Sequence, residues 1–344
     1  MKFNIIIGNP PYQKEVGGVR PKEIYSDFII NSIEKNPDFC SLVTPTRWYN
    51  GVTTNMLKVR EKLLTENTSI IVDYQKAEDA FENTQISGGV SYWLWNKNKK
   101  VEKCTVKHIV HDEVSIFKEK LNDEVFIRYK EGLSILEKVS QFNEIKLSET
   151  YGFWKTFSNI HINDTFDRER FNGCIKFKAK SGETSYLNIE QIEADMIDIL
   201  DKYKVITGAM TPGGGVHKAD NYTVINTPRI IEPYEVFSDY YYTLGVFSSL
   251  EEAKSFDSYI RTKFARVLIQ LINNTTSFNI NKFKYVPVQD WNETWTDEKL
   301  YKKYDLTEDE INFIDVLIKP MKDNSEKIEK DEVDFEQFMN KPEV

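Results

Sequence analysis

Near its start the chain runs Phe3-Asn4-Ile5-Ile6-Ile7-Gly8 straight into Asn9-Pro10-Pro11-Tyr12. Two consecutive prolines lack backbone donors and fix φ, so they belong to neither a helix interior nor a central strand. The apolar run therefore predicts a buried strand over residues 3–7 that stops at Gly8 and enters a rigid, extended loop. A loop in that position lies just past the carboxyl end of its strand, where α/β sheets place their ligands.

The pattern continues in that spirit. Residues 13–21, with Gly17-Gly18, read as a flexible loop. Ile24, Phe28, Ile29 and Ile33 predict a helix over about 23–35. Strands follow at 39–43, 69–73 and 89–95, with a helix at 55–66 between the first two. Alternating strands and helices predict an α/β layer architecture. Beyond residue 100 the signal is less regular. It predicts a strand at 103–110, a helix at 131–141, a loop at 148–164, a helix at 186–203 and a strand at 205–206. Thr211 to Gly215 is the strongest breaker. A long amphipathic helix is expected over 251–272, with Phe256, Ile260, Phe264, Leu268 and Leu271 on one stripe. Two short helices are expected over 298–318, joined near Asp305.

Composition excludes several classes. At 40% hydrophobic and 13% aromatic the chain can build a sizeable core, which rules out disorder. No apolar run approaches the roughly 18 residues of a membrane span, and no secretory leader is evident. Cys40, Cys104 and Cys174 form no Cys-x-x-Cys pair, which favours a reducing cytoplasm over a zinc knuckle. The net charge of −9 argues at first against nucleic acid. Residues 291–344, however, hold sixteen acidic and eight basic groups, which leaves residues 1–290 at −1. A nearly neutral body can still present a local basic cleft to phosphates.

The Asn9–Tyr12 loop suits one chemistry well. The exocyclic amine of adenine is a poor nucleophile because its lone pair is delocalised into the ring. Two acceptors aimed at the amino hydrogens, the Asn9 side-chain oxygen and a main-chain carbonyl such as that of Pro10, would draw the pair back onto nitrogen. Pro10 and Pro11 hold that carbonyl rigid, and Tyr12 offers a ring for stacking. A plain turn after a strand would show the same residues.

With these features the chain resembles the gamma class of adenine-N6 DNA methyltransferases of restriction-modification systems, in which Asn-Pro-Pro-Tyr grips the target amine. Phe39 to Trp48 is similar to the strand and Pro-x-Arg-Trp segment that follows in that family. Asp79-Ala80-Phe81 through Gly88-Gly89-Val90 resembles the segment whose phenylalanine stacks on a flipped base, a role that maps onto Phe81. Lys204 to Ile206, Thr262 to Arg266, Phe283 to Asp290 and Trp295 to Tyr301 are similar to target-recognition regions of the group. The resemblance implies a partial Rossmann-like methyltransferase sheet, later strands only, followed by an α/β target-recognition domain and a short helical acidic tail. The corresponding expected domains are residues 1–124, 125–290 and 291–344. It also implies S-adenosyl-L-methionine as methyl donor and double-stranded DNA as partner.

One family feature is missing from the sequence. The cofactor site, a strand with a Phe-x-Gly-x-Gly turn and a following acidic residue, has no counterpart, and Gly213-Gly214-Gly215 is no substitute. Without the strands that pair beside it in the family, residues 3–7 would form an open apolar edge. The expectation is a fragment or subunit whose edge is covered by a missing N-terminal methyltransferase region, a partner subunit or a second copy, and which is inactive alone. The alternative is a non-catalytic DNA-binding specificity module or remnant.

Weaker signals remain. His108 and His111, three apart, read as a surface pair rather than metal ligands. His161 and His217 fall in polar loops. Lys155, Arg168, Arg170, Lys176, Lys178 and Lys180 make 155–180 the densest basic stretch, interleaved with Phe157, Phe166, Phe171 and Phe177. Such interleaving suits a DNA-facing surface and equally a strand with one solvated face.

Overall fold

The computed structural model describes residues 3–17, 19–122, 124–162, 164–178, 183–208, 222–273 and 279–321. Lys180, the glycine cluster at 213–215 and His217 lie outside these, as does the acidic run after residue 321. The fold is mixed α/β, as the alternation predicts.

Six strands form the main sheet: β1 (Ile5–Gly8), β4 (Phe39–Pro45), β6 (Val90–Asn96), β5 (Thr68–Tyr74), β7 (Cys104–Val110) and β8 (Glu113–Glu119), in that spatial order. β1 runs parallel to β4 and β5 parallel to β7, while β6 lies antiparallel between β4 and β5. The carboxyl ends of β1, β4, β5 and β7 therefore share one edge of the sheet, joined there by the start of β6.

Helices α1 (Tyr25–Glu34) and α2 (Thr54–Leu63) pack on one face. Tyr25, Ile29, Val59 and Leu63 from the helices meet Cys40, Leu42, Ile71, Trp93, Trp95 and Val106 from the strands. The opposite face is different. Cross-strand partners carry it from Ile5 to Phe39, and through Val43 and Tyr92 to Val72, Lys107 and Ile116. Val72 and Ile109 on it are buried, yet Phe39, Tyr92, Val114 and Ile116 are exposed.

Several expectations are corrected. β1 is a strand but not a buried one: Ile5 is 62% and Ile7 74% exposed, because β1 is the sheet's edge. Residues 13–21 are no flexible loop; β2 (Gln13–Val16) and β3 (Val19–Glu23) pair as an antiparallel hairpin. The helix expected at 186–203 is instead the end of a strand followed by short 3-10 turns at Ile189–Gln191 and Ala194–Ile199. The long helix at 251–272 is two helices, α4 (Leu250–Arg261) and α5 (Lys263–Gln270), separated at extended Thr262.

Past residue 125 the chain builds around α3 (Lys130–Ser140), α4 and α5. One three-stranded sheet joins β12 (Arg229–Ile231), β11 (Tyr203–Gly208) and β14 (Tyr241–Phe247). A second joins β10 (Thr184–Leu187), β9 (Ile175–Lys178) and β13 (Glu235–Val236). Helices α6 (Asp297–Lys303) and α7 (Glu308–Leu317) bury Leu300, Ile314 and Leu317 in the same core as α4 and α5.

Candidate active site

The backbone of β1 and the loop after it is tied down before the strand and again at Tyr12. The amides of Asp38 and Phe39 donate to the Asn4 carbonyl (2.8 and 3.0 Å), and the Ile24 amide donates to the Tyr12 carbonyl (3.1 Å). Between these anchors the two prolines project past the sheet edge. Asn9 and Pro11 are exposed, and Pro10 and Tyr12 half-buried. The Tyr12 ring packs against the α1 and α2 core. Burial pushes its phenol above the ordinary value, and the Asn9 side chain offsets part of that rise. The loop thus leaves Asn9 exposed on a frame anchored at both ends, its side chain near the Tyr12 phenol three residues on.

Phe81 lies beyond the end of β5, half-buried, on a turn in which its amide donates to the Ala77 carbonyl (2.9 Å). β1 and β5 are three strand spacings apart, about 14 Å. Asn9–Tyr12 and Phe81 therefore both lie past the same edge of the sheet, with β4 and β6 between their strands.

Beneath that edge is a buried polar network that local sequence reading missed. Asp73, fully buried near the end of β5, accepts from the Tyr49 hydroxyl (2.9 Å) and lies 2.6 Å from His108 Nδ1. Arg128 places Nε 3.4 Å from the same carboxylate and donates to Thr46 Oγ1 (3.2 Å) and the Gly88 carbonyl (2.9 Å). Burial alone would raise the Asp73 pKa, but Arg128, His108 and Tyr49 together hold it below the usual carboxylate value. His108 is thus no surface residue. It pairs with a carboxylate, while exposed His111 sits beside Asp79 and Lys76. Among the described residues no cluster of His, Cys, Asp or Glu could hold a metal ion.

The basic stretch is divided. Lys155 pairs with Asp198 (3.3 Å) and Lys176 with Glu235 (3.4 Å), so part of their charge is already met. Arg168, Arg170 and Lys178 are exposed. In β9 the interleaving is strand alternation, with Ile175 and Phe177 buried and Lys176 and Lys178 turned away. His161 is exposed and pairs with Asp239 (2.9 Å).

Residues 1–81 match the family model described as Eco57I restriction-modification methylase. That stretch is similar to restriction-modification methylase sequence. An uncharacterized adenine-specific methylase of Mycoplasma pneumoniae is 35% identical over 104 residues, 28% of this chain. The match spans only 24% of that relative's length. Two solved structures of restriction-modification enzymes are more loosely similar. The type IIG restriction endonuclease BpuSI, at 11% identity and TM-score 0.34, covers 88% of this chain and 49% of its own. The type IIL enzyme MmeI, solved in complex with DNA, is 9% identical at TM-score 0.38, covering 82% and 45%. No helix among the described residues is long and apolar enough to cross a membrane.

Proposed function

We propose that the chain is the catalytic-loop half, with target-recognition domain, of an adenine-N6 DNA methyltransferase of the gamma class. The observation that carries this reading is a coincidence of position. The segment that matches the methylase family contains Asn9-Pro10-Pro11-Tyr12, and the fold sets those residues at the carboxyl edge of the sheet. A target adenine leaves the duplex and stacks between Tyr12 and Phe81. Asn9 Oδ1 and the Pro10 carbonyl accept from its amino group, which restores nucleophilic character to the nitrogen. The residues that face DNA are Lys155, Arg168, Arg170, Lys176 and Lys178, within a recognition domain of residues 125–290.

The methyl group comes from S-adenosyl-L-methionine. A cofactor cradle needs glycine backbone open to a ligand. At this edge a Cβ on Gly89 would overlap the Tyr74 and Gln75 carbonyls, and the Gly88 carbonyl is occupied by Thr46 and Arg128, whereas Gly8 at the end of β1 is exposed and open. We place the rest of the donor site on a cofactor-binding part that pairs along β1: a further methyltransferase region, a partner subunit or a second copy. The exposed Ile5 and Ile7 and the apolar face running to Ile116 support that assignment, since such a surface favours cover.

Replacing Asn9 with Ala at the chromosomal locus, in the cell that encodes the chain, tests the reading. Single-molecule sequencing of genomic DNA should show N6-methyladenine disappear from one sequence motif. Undiminished methylation at every motif overturns the proposal and leaves the alternative, a DNA-binding module without catalysis.

A further inference from the structure

Residues 75–89 form the loop that carries Phe81, and both of its ends are held by buried polar contacts. At the start, Gln75 receives the Tyr129 hydroxyl on Oε1 (2.9 Å) and donates from Nε2 to the Tyr222 hydroxyl (3.0 Å). At the finish, the Gly88 carbonyl accepts from both Thr46 Oγ1 (2.5 Å) and Arg128 (2.9 Å), and the Thr46 amide donates to the Gly89 carbonyl (3.2 Å). Arg128 reaches Thr46 after β4, Asp73 in β5 and Gly88 before β6. Its guanidinium also lies over the Tyr49 ring, 5.4 Å from the centroid.

We propose that Arg128 is a positioning residue that sets the register of the Phe81 loop against the Asn9–Tyr12 side of the edge. The inference rests on the stacking role given to Phe81 above. Burying a guanidinium and a carboxylate together costs desolvation that an apolar pair avoids, so the pair is best understood through the geometry it fixes. A planar fork serves three acceptors at once, which a lysine ammonium on its single stem cannot reproduce. Residue 128 also sits immediately before Tyr129 and α3, where the chain leaves the sheet for the recognition half. Tyr129 and Tyr222, which grip Gln75, belong to that half. Displacement of the recognition half is thereby felt at the root of the loop.

The test is native-state hydrogen exchange on Arg128→Lys and on the isosteric Thr46→Val, which keeps the Arg128–Asp73 pair should the first variant fold poorly. The expected result is at least tenfold faster exchange at the Phe81, Thr84 and Gly89 amides, with the amides of Trp93 and Val106 in the central strands unchanged. Exchange that stays at the wild-type rate across 81–89, or rises uniformly through the sheet, overturns the proposal. In cells carrying Arg128→Lys, the fraction of methylated sites should fall at least tenfold with Asn9 intact. If the Asn9→Ala cells keep their methylation, the enzymatic reading fails, while the exchange result still decides whether Arg128 positions the loop.

Discussion

His108 Nδ1 lies 2.6 Å from Asp73 Oδ2, in a place where His108 is 6% exposed and Asp73 not at all. Their strands are neighbours, parallel and in register at these two positions. With Tyr49 and Arg128 on its other sides, Asp73 is a carboxylate whose charge is fully met inside the fold. A buried anion so surrounded resists replacement, because removing one partner strands the others.

Asp73→Asn should therefore destabilise the chain by about 3–5 kcal/mol, the usual cost of leaving a buried charge unpaired. The drop would be read as a lower denaturant midpoint at pH 7. Acid should reproduce the electrostatic part of it in the wild type. Asp73 has a depressed folded-state pKa, so its contribution is complete above the ordinary carboxylate value near 3.8 and is lost as pH falls toward the lower folded value. Wild type and variant should converge in that acid range; parallel curves down to pH 2 would show that Asp73 is not the group responsible.

Glu119 predicts the opposite sign. It lies at the end of β8, 8% exposed, with a buried Oε2 that finds no hydrogen-bond partner among the described residues, and burial pushes its carboxyl up to about 8. Below the ordinary value of 4.5 both states are protonated and nothing is lost. Between 4.5 and 8 the unfolded chain ionises while the folded one keeps its proton, so stability falls as pH rises. Glu119→Gln should remove that penalty, raising stability at pH 8 by roughly 3–5 kcal/mol and leaving it unchanged at pH 4. Equal stability of the two proteins at pH 8 would contradict this.

Gly89 has φ of +85°, and a Cβ there would overlap the Tyr74 carbonyl oxygen, a backbone atom that cannot swing aside. Gly89→Ala should cost about 3 kcal/mol or more through strain and overlap together. Gly173, also at positive φ but with open space around it, is the control: Gly173→Ala should cost only the conformational strain of about 1 kcal/mol. Thermal unfolding of the pair checks the difference.

How far the sequence reveals this structure depends on whether a partner is local. The strands at 39–45, 68–74, 90–96 and 104–110 were legible because runs of apolar and β-branched residues mark them without help from elsewhere. The break between α4 and α5 was not. Thr262 caps Ala265 locally, but the Lys263 and Phe264 amides are capped by the Asp297 carboxylate, more than thirty residues away. Over 189–200 the apolar spacing fits a helix, yet the Asn188–Gln191 capping box closes a single short turn and Glu193 is extended. In the hairpin at 13–23 the strands are charged and lack an alternating pattern, so Gly17 was the main clue. The same division holds at the site. Asn9–Tyr12 could be picked out as a contiguous motif, whereas strand register brings His108 to Asp73 and the segment before α3 brings Arg128, with no short-range pattern to mark them.

Loss of Asn9 should separate chemistry from binding. In the proposed reaction the Asn9 amide contributes only as positive charge develops on the adenine nitrogen, so Asn9→Ala in an assembly with its cofactor-binding part should lower methyl transfer by about 10²–10³-fold. Duplex affinity at fixed salt should change little, since phosphate contacts supply most of it. A parallel fall in both quantities would place Asn9 in DNA binding instead.

The edge strand gives the last expectation. Ile7 is 74% exposed and pairs on one side only, with Ser41 of β4. A lysine there meets water, so Ile7→Lys should leave the stability of the isolated chain within about 0.5 kcal/mol, as for other surface changes. Charged side chains on an edge are also a means by which sheets refuse further strands. If β1 is where the cofactor-binding part adds its own strand, Ile7→Lys should abolish assembly, as read by sedimentation velocity, together with methylation of the target motif in cells. Phe142→Lys supplies the comparison: Phe142 is 46% exposed in the turn after α3, away from the sheet, and its substitution should leave assembly intact. Normal assembly of the Ile7→Lys chain would show that the partner does not extend the sheet at β1.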